Sequence, residues 1–220
     1  MSVSFRERMV GAVRPTERTA WRVPPRGGRA GDGIVRAVRD AVDRSPGSAP
    51  AVLDLDRLRV VVGVSEPVRD GFAADVLTGR VAGLRPRPLE VVAGFADLLT
   101  TSGAGRRMYY RLLVDDGHEQ YVIEGVKTVT GRLGAAWRET TTLHTVVVRL
   151  TAPGVDPRQD ARGRLADGEL DGELVLAGVL RVRGILRQVL SLRGRLVRFA
   201  SGFARRLVRW TPRPRRSGRG

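Results

Sequence analysis

The chain has 220 residues, 42% of them hydrophobic and only 5% aromatic, enough for one large all-β domain or a domain with appendages whose core relies on Val, Leu and Ala. It contains no cysteine, which excludes disulfides, thiolate nucleophiles and cysteine-ligated zinc. The net charge of +16 is uneven: residues 181–220 hold 13 Arg and no acid, leaving 26 basic against 23 acidic residues before them, so a near-neutral body carries a cationic end suited to phosphate backbones or acidic lipid headgroups.

The opening stretch, MSVSFRERMV, places charges where a signal peptide needs its apolar run. No apolar run approaches the ~20 residues of a membrane-spanning helix. The expectation is a cytoplasmic protein, with peripheral contact at the inner membrane face. Met9–Val13 predicts a short strand. Residues 14–50 read as a loop-rich insertion, marked by Pro24-Pro25-Arg26-Gly27-Gly28 and Ser45-Pro46-Gly47-Ser48. Within it Ile34, Val35, Val38 and Val42 recur at helical spacing and predict a short helix over 34–43.

From Ala51 the texture changes to short Val- and Leu-rich runs broken by Gly, Pro and Asp. Strands are predicted at 51–55, 58–64, 74–83, 88–97, 106–114, 119–130, 139–150 and 173–181. Asp115-Asp116-Gly117 is the clearest turn, because Asp-Gly tolerates the positive φ of a tight hairpin. It joins a strand in which Met108, Tyr110, Leu112 and Val114 share one face to a strand containing Tyr121 and Ile123. Residues 151–172 are acidic, Gly-rich and predicted to be a loop.

Near the end of the chain, Ile185, Val189, Leu192, Leu196, Phe199, Phe203, Leu207 and Trp210 fall on one side of a helical wheel. Arg187, Arg195, Arg198, Arg205, Arg206 and Arg209 fall on the other, forming a candidate surface for anionic partners. Gly194 and Gly202 allow the helix to divide in two, and Thr211-Pro212 ends it. The fold class that follows is mainly β, an antiparallel β-barrel or β-sandwich with a C-terminal amphipathic helix. The divisions are 1–182 for the β-domain, 183–211 for the basic helical segment and 212–220 for a disordered basic tail.

Catalytic chemistry is thin. The two histidines, His118 beside the hairpin turn and His144 within a strand, are too few and too separate for a metal site. No G-x-S-x-G elbow or P-loop is present. Gly31-Asp32-Gly33 resembles half of a dinucleotide fingerprint, but it lacks the preceding strand and the third glycine. No catalytic residue, metal or cofactor is expected. Tyr110, Lys127, Trp137, Thr140 and Thr142 form a candidate ligand pocket; the competing reading is a Trp plugging one end of the β core. Lys127 is the only lysine, and part of the Arg excess is consistent with a GC-rich coding sequence.

Several spaced motifs also carry a resemblance. They are Phe5-Arg6-Glu7-Arg8-Met9-Val10-Gly11, Arg107-Met108-Tyr109-Tyr110-Arg111-Leu112, Asp116-Gly117, Glu124-Gly125-Val126-Lys127, Trp137-Arg138-Glu139-Thr140-Thr141-Thr142-Leu143, and Gly178-Val179-Leu180 leading to Arg187-Gln188. In this order they resemble the non-catalytic β-rich region attached to actinobacterial cholesterol-oxidase-like proteins of the GMC flavin oxidoreductase family, some of which also bear an α/β-hydrolase module. Glu139 stands where that pattern has Asp, and the flavin-binding and catalytic portions are absent. The resemblance implies a setting in sterol or lipid metabolism and no oxidase activity in this chain.

Three readings follow. The first is a non-catalytic accessory domain that meets an anionic membrane surface or lipid and partners a lipid-modifying enzyme. The second is an Arg-rich nucleic-acid-binding protein. The third is an enzyme with its site inside the β-domain.

Overall fold

A computed structural model of the chain describes residues 2–26, 30–44, 49–63, 71–102, 105–129, 141–151 and 161–183. Eight strands dominate: β1 Ser2–Val23, β2 Ala51–Gly63, β3 Phe72–Ala82, β4 Leu89–Ser102, β5 Gly105–Asp115, β6 Gln120–Val129, β7 Thr142–Leu150 and β8 Leu170–Arg183. Helix α1 (Ala30–Arg44) follows β1, and the short α2 (Ala161–Asp167) lies between β7 and β8. Each strand pairs antiparallel with the next, and β8 returns to β1, so the sheet is a closed barrel rather than a sandwich.

Closure depends on β1, which is far longer than the predicted Met9–Val13. Its first part, Ser2–Val13, pairs with β2, and Arg8–Val23 pairs with β8, with a register break between Pro15 and Thr19. The expected loop-rich insertion at 14–50 therefore contains ten further residues of strand up to Val23 and all of α1. The predicted strands 51–55 and 58–64 are one strand, β2, bent at Arg57, whose φ of 53° marks a bulge. The predicted loop 151–172 contains α2 and the start of β8. The β5–β6 hairpin is as expected: Gly117 has φ 87°, and the Asp116 carboxylate accepts from the amides of His118 and Glu119 at 2.9 and 2.7 Å.

Alternation along the strands builds two apolar layers. Met9, Leu55, Val60, Leu112, Ile123 and Val147 point inward and fill the barrel. On the outer wall of β6–β8, Val126, Val146, Val148 and Ala177 meet Ile34, Ala37, Val38 and Ala41 of α1. These α1 positions recur at i, i+3, i+4 and i+7, so one helix stripe is consumed by the wall. Burying Ile34 alone contributes about 1.5–3 kcal/mol. Asp32 in the first turn and Arg44 in the last complement the helix dipole. Among the described residues no helix is long and apolar enough to cross a membrane. The predicted helix at 183–211, beyond its first residue, and the predicted tail at 212–220 lie outside the described residues.

Candidate functional site

Strands β5 and β6 pair from Arg106–Asp115 to Gln120–Val129 and carry charged side chains on both faces. Tyr110 and Lys127 face into the barrel; Tyr109, Arg111 and Glu124 face out. Two buried polar clusters result, separated by the thickness of the sheet.

The inner cluster joins Glu7 of β1 to Lys127 of β6 and Tyr110 of β5. Lys127 Nζ donates to Glu7 Oε1 at 2.8 Å and to the Tyr110 hydroxyl at 3.5 Å, and it lies 4.8 Å from the centre of the Tyr110 ring. Both charged side chains are only 2% exposed. Burial, then the negative charge of Glu7, pushes the Tyr110 phenol well above its ordinary range, so it stays protonated. The Tyr110 hydroxyl donates in turn to the Glu7 carboxylate, whose Oε2 is buried. Gly125 stands opposite Tyr110 in register, and a Cβ there would come within 2.7 Å of Leu143 Cδ2. The wall beside the cluster is therefore closely packed.

The outer cluster centres on Arg111, directly opposite Glu124 in register. The Arg111 guanidinium reaches Glu124 Oε1 at 3.0 Å, the Tyr109 hydroxyl at 2.7 Å, the Leu165 carbonyl of α2 at 2.8 Å and the Pro24 carbonyl after β1 at 2.6 Å. Glu124 also accepts from the Tyr109 hydroxyl, and from Trp21 Nε1 at 3.0 Å. The guanidinium carbons of Arg26 and Arg111 lie 4.7 and 5.3 Å from the centre of the Phe95 ring. Burial, then the charge of Glu124, raises the Tyr109 phenol well above its usual value. Both carboxylate oxygens of Glu124 are used. The cluster is a clamp between the barrel wall, the chain after β1 and α2.

Of the expected pocket residues, the structure brings Tyr110 and Lys127 together. Thr142 takes the opposite face by alternation, since its neighbour Leu143 points inward. Trp137 and Thr140 lie outside the described residues, as do Arg187, Arg195, Arg198, Arg205, Arg206 and Arg209. Sequence reasoning missed Glu7, although it alternates with the inward Phe5 and Met9. It also missed the outer pair Arg111–Glu124. At the far end of the barrel, an open groove of about 970 Å³ is lined by Arg85, Asp116, Glu119 and Arg149 among others. These four are tied to one another, with Arg85–Asp116 at 2.9 Å and Arg149–Glu119 at 3.1 Å. Among the described residues no group of three or more His, Asp or Glu is arranged to hold a metal.

A further feature lies on the outer face of β1, β2 and β8. Arg6 stands opposite Arg59, and Arg8 opposite Arg183, with Arg181 opposite Val10. Arg8 is held by Asp54 at 2.6 Å. Arg59, Arg181 and Arg183 are exposed and make no ion pair among the described residues. Comparison of the chain with protein-family models, with curated proteins and with solved structures found no match.

Proposed function

We propose that the chain is a non-catalytic accessory barrel that meets acidic lipid surfaces through its arginine face and the segment that follows it, beside a lipid-modifying enzyme. One observation carries this reading. Arg59, Arg181 and Arg183 project outward with no acidic partner among the described residues, and β8 ends at Arg183. The chain that continues from there, 184–220, has 11 further arginines and no acid. The amphipathic spacing of that segment supports a bilayer over a polynucleotide as the anionic partner, because a phosphate backbone has no use for an apolar stripe. The non-catalytic part is supported by the buried ionisable groups, which are paired with one another. The enzyme partner is supported by the sequence resemblance alone.

Co-sedimentation with vesicles rich in phosphatidylglycerol, with vesicles of phosphatidylcholine, and with duplex DNA tests the reading. Binding to the acidic vesicles alone is expected, with a residual component at ~1 M salt, where the Debye length is about 3 Å. Removal of 184–220 abolishes the apolar component and leaves a weak, salt-sensitive remainder on the barrel face. Tighter binding to the duplex, lost entirely in salt, overturns the proposal.

A further inference from the structure

We propose that the cleft between helix α1 and the bulged part of β1 binds a flat aromatic carboxylate, whose ring lies against Trp21 and whose carboxylate meets Arg36. The inference does not depend on the arginine face. The cleft holds about 370 Å³, a size suited to a small ligand. The register break in β1 supplies one wall. Pro15 pairs with Leu176 and Thr19 with Leu174, so four steps of β1 span two of β8, and the surplus residues Thr16 and Glu17 line the cleft. On the α1 wall, Ala37 and Ala41 are buried and too short to fill the space.

Two features call for a ring. Trp21 borders the cleft and is only partly buried, and its Nε1 donates to Glu124 Oε2 at 3.0 Å. The indole is therefore held in place before any ligand arrives, which lowers the ordering cost of stacking on it. Outside its own helix and among the described residues, a Cβ placed on Gly33 would meet only Trp21 Cη2, at 3.5 Å. The ring edge thus faces space that glycine leaves empty. Charge decides the rest of the ligand. Arg44 stands 3.5 Å from Glu17 and 3.6 Å from Asp40, so both carboxylates of the cleft share one guanidinium. Arg36 also lines the cleft, is exposed and makes no ion pair among the described residues. A ligand carboxylate takes up the Arg36 fork. A ligand ammonium would have to compete with Arg44 for either acid.

The chain has three tryptophans, Trp21, Trp137 and Trp210. Full-length protein containing 5-fluorotryptophan gives one fluorine NMR signal for each, and Trp137→Phe and Trp210→Phe identify that of Trp21 by elimination. Titration with 2-naphthoate is expected to shift the Trp21 signal saturably, while 2-naphthylmethylamine at equal concentration leaves it in place. Arg36→Gln weakens 2-naphthoate by about tenfold, the loss of one charge-assisted contact. Gly33→Leu fills the space beside the ring and abolishes the response. Leucine is the better helix former, so the thermal midpoint of this variant should not fall. Arg181→Ser with Arg183→Ser leaves 2-naphthoate binding unchanged, whatever it does to vesicle binding. A Trp21 signal indifferent to 2-naphthoate, an equal response to the amine, or full affinity in Arg36→Gln or Gly33→Leu overturns the proposal. If Gly33→Leu does not fold, Arg36→Gln and the acid-against-amine contrast decide it.

Discussion

The β5–β6 wall carries one buried ion pair on each face, and the two differ in how completely their polar atoms are used. On the outer face Arg111 and Glu124 bind Tyr109, Trp21 and two backbone carbonyls, so neither carboxylate oxygen is left over. On the inner face Lys127 and Glu7 share one short contact, and the Tyr110 hydroxyl is their only other polar partner among the described residues. A buried pair loses several kcal/mol of hydration per ion, and only further hydrogen bonds offset that loss. The outer pair has those bonds and acts as structure. The inner pair has fewer of them, with the Tyr110 hydroxyl alone beside the Lys127–Glu7 contact.

The largest effect that tests this contrast is expected from Arg111→Met. It leaves the Leu165 and Pro24 carbonyls without their donor and Glu124 buried without its counter-ion, and costs about 3–5 kcal/mol in urea denaturation. Amide exchange should quicken at Arg26, whose N–H donates to the Ala166 carbonyl, and in 161–167, because Arg111 ties both segments to the wall. A cost below about 1 kcal/mol breaks the assignment of the outer cluster as a clamp.

A smaller effect is expected inside the barrel. Lys127→Met strands the Glu7 charge and costs about 3 kcal/mol at neutral pH. The informative step is the double replacement. Glu7→Leu with Lys127→Met should recover more than half of that loss, since beyond the pair itself only the Tyr110 hydroxyl is left without a partner. Arg111→Met with Glu124→Leu should recover little, because the Trp21 indole, the Tyr109 phenol and two carbonyls remain without partners. Equal recovery of the two doubles, measured by the same denaturation, removes the distinction between the faces.

The same contrast explains what was legible in the sequence. Short β-rich runs and the Asp115–Gly117 turn pointed to the antiparallel fold, and Met108, Tyr110, Leu112 and Val114 do share the inner face. Barrel closure was not legible, because it rests on β1 meeting β8 across most of the chain. Residues 14–23 lack apolar alternation, and their strand is held by pairing with β8 rather than by propensity. Helix α2 buries only Ala161 and Leu165, too few positions to set a period. Glu7 was readable in principle, since Phe5 and Met9 fix its face, but an acid between two arginines reads as solvated. Arg111 reads the same way until α2 and the chain after β1 are seen to cover it.

The smallest expected effect concerns His144, an outward residue of β7 near the clamp but outside it. Its Nδ1 is buried and has no hydrogen-bond partner. Burial lowers its pKa from 6.5, and a backbone hydrogen bond with Val126 opposes the shift only in part. The unfolded chain therefore binds a proton at this position before the folded chain does. Stability is unaffected above about pH 6.5, declines as pH falls below it, and levels off beneath the folded pKa. Asp116, whose pKa the His118 and Glu119 amides lower, loses its contribution only as pH falls below 3.8, outside that window. Urea midpoints taken between about pH 7.5 and pH 5 should fall shallowly in the parent and stay flat in His144→Phe. A decline that survives this replacement places the proton elsewhere, and a parent without any decline means that the outer face tolerates a charged imidazole as readily as water does.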